Sequence, residues 1–415
     1  MSTSVTSPNL LQSASTWRDM LAKIALLFFG IALWHKGLSF YGYYLLPVAW
    51  VLDGGLRRFR QTLNEPFVIG MLVLCFVLAL GILWSDDPKL GFKVWRRYFA
   101  FLVFIPYLSL LNKERLPWAI GGLLAGYLGV LLTGIHQWII MNTQGIPTLR
   151  LTYLDFSAML GIGIILTLYL ADISKNKKTK SLLWFLAILL LFIQFNQNAR
   201  GILIATLISS GLLLLLLHKK EIRTLLTVMA SLIIVIAVFA YTSTSFHERM
   251  AQAEHDIELS KLGQYDTSLG YRLALWDVGL HGIAERPLLG RGTGMAGSYF
   301  DKTIETYKSG LYKELLKFSP IYHYHNDWIE VGMHLGALGL AAYAFFLQSW
   351  FRTLRIHRLT PLGAAFMCFI VLLGLTDVFV IFRQNLYLIL IITAIGVTWQ
   401  KAYGLTSVQT ENYPV

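Results

Sequence analysis

His323-Tyr324-His325-Asn326-Asp327-Trp328-Ile329-Glu330-Val331-Gly332-Met333-His334-Leu335-Gly336-Ala337-Leu338-Gly339 is the stretch where two kinds of sequence meet. Before it lies the only long polar segment, residues 243–324; from Trp328 a new apolar run begins. The stretch therefore reads as a water-exposed loop turning into a helix, with His325, Asn326 and Asp327 at the turn. The same loop carries Arg249, Arg272, Arg286 and Arg291 upstream. Cations and a titratable imidazole at the rim of apolar matter are suited to an anionic substrate.

Working outward, 56% of the 415 residues are hydrophobic and only 14% are charged. A soluble chain is about half apolar and about a quarter charged, so the depletion in charge is that of an all-α polytopic membrane protein. Apolar runs predict about twelve transmembrane helices. Their ranges are 21–34, 40–52, 66–84, 94–111, 117–140, 153–173, 181–195, 201–217, 225–241, 328–351, 361–382 and 386–400. Three regions follow: helices in 1–242, a long helical loop over 243–324, and helices with a short tail in 325–415. The first sixteen residues carry no charged side chain, and no removable signal peptide is evident.

The net charge of +12 is spread in short clusters between apolar runs, the positive-inside pattern rather than a nucleic-acid footprint. With both termini inside, the inner connections carry Arg57, Arg58 and Arg60; Lys113 and Arg115; Lys175 to Lys180; Lys219, Lys220 and Arg223; Arg352, Arg355 and Arg358; and Lys401. The outer set includes the long loop. Lys93, Arg96, Arg97, Arg150, Arg200 and Arg383 then stand on the side where the rule disfavours cations. Any one of them could be snorkelling to headgroups. Together with the loop arginines they make a positive basin at the outer surface.

The loop is no linker. Tyr271-Arg272-Leu273-Ala274-Leu275-Trp276, with Val278 and Leu280, has helical spacing. Pro287-Leu288-Leu289-Gly290-Arg291-Gly292-Thr293-Gly294 is a glycine turn that presents Arg291, and its N–H groups could cradle an anion. Two or three short helices on the membrane face are expected. Arg200 opens a span, where the helix dipole and free N–H groups also favour anions. Arg200, Arg272 and Arg291 are the candidates for holding a diphosphate; Arg249, Arg286, His323 and Asn326 are secondary candidates.

Taken alone, His325 is a capping or surface histidine, and Gly332, Gly336 and Gly339 are small residues for close helix packing that aims it. Metal and cofactor are not expected, because no Asp-x-Asp carboxylate pair occurs and His323 and His325 do not share a helical face. Cys75 and Cys368 lie inside apolar runs, which excludes a disulfide framework.

His325-Asn326, nine residues, then Gly336-Ala337-Leu338-Gly339 resembles the H-[N/S/Q]-x9-G-x-x-G signature of the O-antigen ligase family. The run from Arg272 through Trp276 to Arg286-Pro287-Leu288-Leu289-Gly290-x-Gly292-x-Gly294 is similar to the block that precedes it there. Asn198-Ala199-Arg200-Gly201 resembles the shorter Ser-Arg-Gly element, departing at Ala199. The resemblance implies a glycosyltransferase of the GT-C type in the bacterial inner membrane, with its site on the periplasmic face and both termini cytoplasmic. It implies transfer of a glycan from undecaprenyl diphosphate to a hydroxyl of the lipid A–core oligosaccharide, with His325 as general base and the arginines on the diphosphate. An O-antigen polymerase is the nearest rival. A protein O-oligosaccharyltransferase is disfavoured by the short tail. A secondary transporter is disfavoured because the charges cluster at one surface and not at the bilayer midplane.

Overall fold

The computed structural model describes residues 9–219 and 244–404, with positions 223, 227, 230, 233, 234, 237 and 241 between them. The expected span 225–241 thus lies largely outside the described residues. The described chain is helical, with one isolated bridge between Ile146 and Leu151.

The helices in order are α1 Asn9–Ala32, α2 Lys36–Leu52, α3 Gly55–Thr62 and α4 Pro66–Leu80, which tightens into a 3-10 turn over Gly81–Trp84. Next come α5 Pro88–Trp95, α6 Phe99–Leu102, α7 Phe104–Leu110 and α8 Leu116–Met141. They are followed by α9 Tyr153–Ile173, α10 Lys177–Phe195, α11 Arg200–His218 and α12 Thr244–Lys261. The last are α13 Ser268–Glu285, α14 Ala296–Thr303, α15 Asp327–Ile356, α16 Thr360–Thr376 and α17 Arg383–Tyr403.

Among the described residues, seven helices are long and apolar enough to cross a membrane: Pro66–Trp84, α8, α9, α10, α11, α15 and α17. The other expected spans within the described residues are shorter, more polar or interrupted. The run 94–111 is the clearest case, for it breaks into the end of α5, a 3-10 turn, α6 and α7. Pro106 lacks the N–H that the carbonyl of residue 102 would use, and the Tyr43 hydroxyl donates to the Phe99 carbonyl at 3.1 Å. The run 361–382 stops as a helix at Thr376, because Asp377 adopts an extended backbone.

Local sequence explains the helix ends. Thr152 and Asp155 form a reciprocal capping box that starts α9. Asn326 starts α15 by accepting the Trp328 and Ile329 N–H groups at 3.0 and 3.1 Å. Glycine allows α1 and α8 to touch: a methyl at Gly30 would stand 2.6 Å from the Gly122 carbonyl carbon.

The bundle has two distinct poles. At one, Arg115 joins Asp19 and Asp53 at 2.8 Å each, and Glu65 joins His357 at 3.0 Å and Lys401 at 2.6 Å. At the other, Gln144 accepts the Asn198 N–H at 2.9 Å, and the Asn385 amide donates to the Asp155 carbonyl at 2.9 Å. Connections assigned to one side by the charge pattern thus meet one another.

The segment between α12 and α15 has its own apolar core. Ala274, Leu275, Val278, Phe300, Leu315 and Tyr324 pack there against Ile329 and Met333 of α15. Its two leading helices, at 18 residues each, are longer than the short helices expected.

One feature ties this segment to the bundle. At Gly336 (φ +56°) α15 breaks, and Ala337 and Leu338 donate to the Pro287 and Leu288 carbonyls at 2.7 and 3.2 Å. In return Arg291 and Gly292 donate to the Met333 and His334 carbonyls, both at 2.9 Å. The helix therefore exchanges its own hydrogen bonds for bonds to the glycine turn, leaving none of these groups unpaired.

Gly336→Ala should be destabilising, since its φ is left-handed and a methyl would meet the Pro287 oxygen at 2.5 Å. A loss of about 1–3 kcal/mol, read as a lower melting temperature in detergent, is expected. Gly121→Ala in α8, where nothing lies within 4 Å, should melt no lower than the parent protein.

Candidate active site

His325 sits between two anchored neighbours. Tyr324 is fully buried; its N–H donates to Glu330 at 3.0 Å and its hydroxyl to the Ala296 carbonyl at 3.0 Å. Asn326, besides capping α15, donates to the Leu375 carbonyl at 3.2 Å. Held from both sides, His325 takes the left-handed conformation, φ +49°. A bulky residue there stores strain, and such strain concentrates at functional sites.

The end of α16 supplies what local spacing did not reveal. Asp377 Oδ1 lies 3.2 Å from His325 Nδ1 and 3.3 Å from His323 Nε2, and the two imidazole centroids are 4.1 Å apart. His325 Nδ1, though this close, makes no hydrogen bond of full geometry. Burial alone would raise the Asp377 carboxyl; the two imidazoles outweigh it and hold it well below the usual carboxylate range. Asp377 therefore stays charged at neutral pH and favours an N–H on the imidazole nitrogens that face it. The Tyr271 ring meets His325 edge-on at 6.3 Å.

His323, His325 and Asp377 also offer three metal-capable atoms within 4.8 Å of one another. The helical-face argument against such a grouping does not apply, because the two histidines stand on non-helical backbone.

The arginines divide into two places. Arg200 opens α11, where Gly201 packs beside Thr376, so a methyl there would stand 3.3 Å from the Thr376 hydroxyl. Arg272 lies one turn into α13, next to Tyr271; its Nη1 donates to Ser268, and its Nε is buried without a hydrogen-bond partner. Both arginines flank the histidine end.

Arg291 lies elsewhere. Its guanidinium pairs with Glu285 and lies over the Tyr299 ring, 4.1 Å from the centroid. Glu285 is thirteen residues along α13 from Arg272, about 20 Å at the helical rise of about 1.5 Å per residue. The three arginines therefore do not form one clamp in this conformation.

The anion nest expected of the glycine turn is also occupied by the protein itself. The N–H groups of Gly290, Arg291, Gly292 and Thr293 go to the carbonyls of Arg286, Met333, His334 and Gly81, and that of Gly294 to His334 Nδ1. Arg286 closes α13 and is exposed. The Arg249 side chain lies outside the described residues.

Known proteins resemble this chain across that region. Residues 185–344, which hold both histidines, both glycine motifs and Arg200, Arg272, Arg286 and Arg291, match the family model described as O-Antigen ligase. The match is to an O-antigen ligase domain. The O-antigen ligase of Escherichia coli (strain K12) is 23% identical over 371 residues, covering 84% of this chain and 85% of that protein. The family resemblance read from the motifs is thereby shown, and it implies a membrane enzyme of the glycosyltransferase type. Asp377 lies beyond the matched residues. A carboxylate ending an apolar run on the same side as His325 was the sequence signal for it.

If Asp377 orients His325, then Asp377→Asn should lower glycan transfer about 100-fold, the scale set by a misoriented base. Donor retention by the purified protein should change less than twofold. A variant that transfers at the parent rate would remove Asp377 from the site.

Proposed function

We propose that this chain is an O-antigen ligase of the GT-C type. It transfers a completed glycan from undecaprenyl diphosphate to a hydroxyl of the lipid A–core oligosaccharide. The observation that carries the reading is His325, held in a left-handed conformation with Asp377 behind its Nδ1 and with Arg200 and Arg272 at the same end of the molecule.

With Nδ1–H turned to Asp377, Nε2 carries the free lone pair. It takes the acceptor hydroxyl's proton as that oxygen attacks the anomeric carbon. The bond from that carbon to the diphosphate oxygen breaks on the opposite face, so the centre inverts. Negative charge grows on the departing undecaprenyl diphosphate, where Arg272, whose Nε is buried and without a hydrogen-bond partner, and Arg200 stabilise it. Arg291 would join only by exchanging Glu285 for substrate. No step requires a metal or other cofactor.

The positive-inside pattern supports the inner membrane, cytoplasmic termini and a periplasmic site. In the same reading, residues 1–242 and 325–415 form the membrane part and 243–324 the periplasmic loop.

Purified His325→Ala should keep donor binding and lose transfer by about 10²–10⁴-fold. Arg272→Ala should also weaken donor capture, by about tenfold. In a null strain, full-length lipid-linked O-antigen should accumulate while the lipid A–core stays bare. Accumulation of single repeat units would instead identify a polymerase.

A further inference from the structure

At the pole opposite His325, α3, the end of α7 and the end of α17 surround a cavity of about 370 Å³. Its walls hold three cations, Arg58, Lys113 and Lys401, against one carboxylate, Glu65. That carboxylate is already shared between His357 and Lys401. Arg58 meets Asp53 through Nη2, which leaves its Nε buried without a hydrogen-bond partner. The Ser109 hydroxyl, also in the wall, is buried and without such a partner too. Lys113 lies over the Tyr403 ring, 5.2 Å away. An excess of cations around unpartnered donors is a setting for an anion with several acceptor oxygens.

Neighbouring features favour a lipid as the bearer of that anion. Helix α3 exposes Leu56 beside Arg57 and Arg60, the pairing expected where a helix lies at headgroup depth. On its other flank an apolar cavity of about 210 Å³ opens among Tyr43, Pro47, Trp50, Phe59, Ile105 and Pro106. The two cavities share α3, whose Arg58 lines the cationic one and whose Phe59 lines the apolar one.

We propose that the cavity between α3, α7 and α17 binds the phosphate of an anionic membrane phospholipid. The site is separate from the His325 end and does not depend on the reaction assigned there.

The test is native mass spectrometry of the full chain, delipidated in mild detergent and titrated with phosphatidylglycerol, phosphatidylethanolamine or inorganic phosphate. Phosphatidylglycerol should be retained about tenfold more tightly than phosphatidylethanolamine. Lys113→Glu should remove that preference, Ser109→Ala should weaken it, and Lys178→Glu, a cation outside the cavity, should leave it intact. Each variant's melting temperature in lipid-free detergent separates lost binding from lost folding. Displacement of the lipid by millimolar inorganic phosphate would keep the phosphate site and overturn the lipid assignment. Equal retention by parent and Lys113→Glu, or an equal loss in Lys178→Glu, would overturn the site itself.

Discussion

At Gly336 the long helix α15 stops bonding to itself and bonds instead to the turn that follows α13. Four backbone groups that a continuous helix would pair internally find partners at Pro287, Leu288, Arg291 and Gly292. Near a membrane an unpaired backbone group has no water to turn to, so such a break persists only where another segment completes it. The turn has the same need, and glycines at positions 290 and 336 let the two backbones approach, while Gly292 lies against the backbone of Ser85. The two glycine motifs are thus halves of one joint. That joint fixes the loop core on the bundle and sets the direction of the first turns of α15, hence the position of His325.

Above the joint, buried polar groups carry the constraint upward. His334 lies 3.3 Å from Glu330 and accepts the Gly294 N–H; Glu330 accepts the N–H of Tyr324. Asp327 accepts from the Tyr343 hydroxyl and the Phe379 N–H, at 2.8 and 3.0 Å. It thereby fastens the connection that contains Asp377 to the start of α15. The bonds made by Tyr324, Asp327 and Glu330 offset the cost of burying those groups, while His334 Nε2 is buried without a hydrogen-bond partner. Together they leave His325 little freedom to relax its left-handed backbone. Strain at one residue is held by satisfied bonds at its neighbours.

Much of this was legible in order along the chain. The run 153–173 became a helix with those same limits, α9 Tyr153–Ile173, because its capping box and unbroken apolar run agree. The polar segment with Tyr271 to Leu280 at helical spacing became α13. Hydropathy could not show where a helical backbone is interrupted, since Phe99 to Leu110 is apolar whether or not it is continuous. Nor could it show Asp377 beside His325, because that contact joins the ends of different helices and leaves no periodic trace. The glycine turn departs from expectation for a related reason. Its composition fits an anion nest, and only the fold reveals that α15, Gly81 and its own chain take up its N–H groups.

The two poles treat charge differently, and that difference bears on where chemistry is placed. At the pole where the charge pattern expects cations, Arg115 is closed on two carboxylates and Glu65 gathers a lysine and a histidine, while Arg58 Nε in the cavity wall is left without a hydrogen-bond partner. At the opposite pole two imidazoles share one carboxylate, and a buried guanidinium nitrogen of Arg272 has no hydrogen-bond partner. Cations on that side run against the insertion rule, and an unpartnered buried donor adds a further cost. A fold maintains such costs where a ligand repays them. In the proposed reading, a diphosphate at this end would supply the missing acceptors, and the imidazole beside it would take the acceptor hydroxyl's proton.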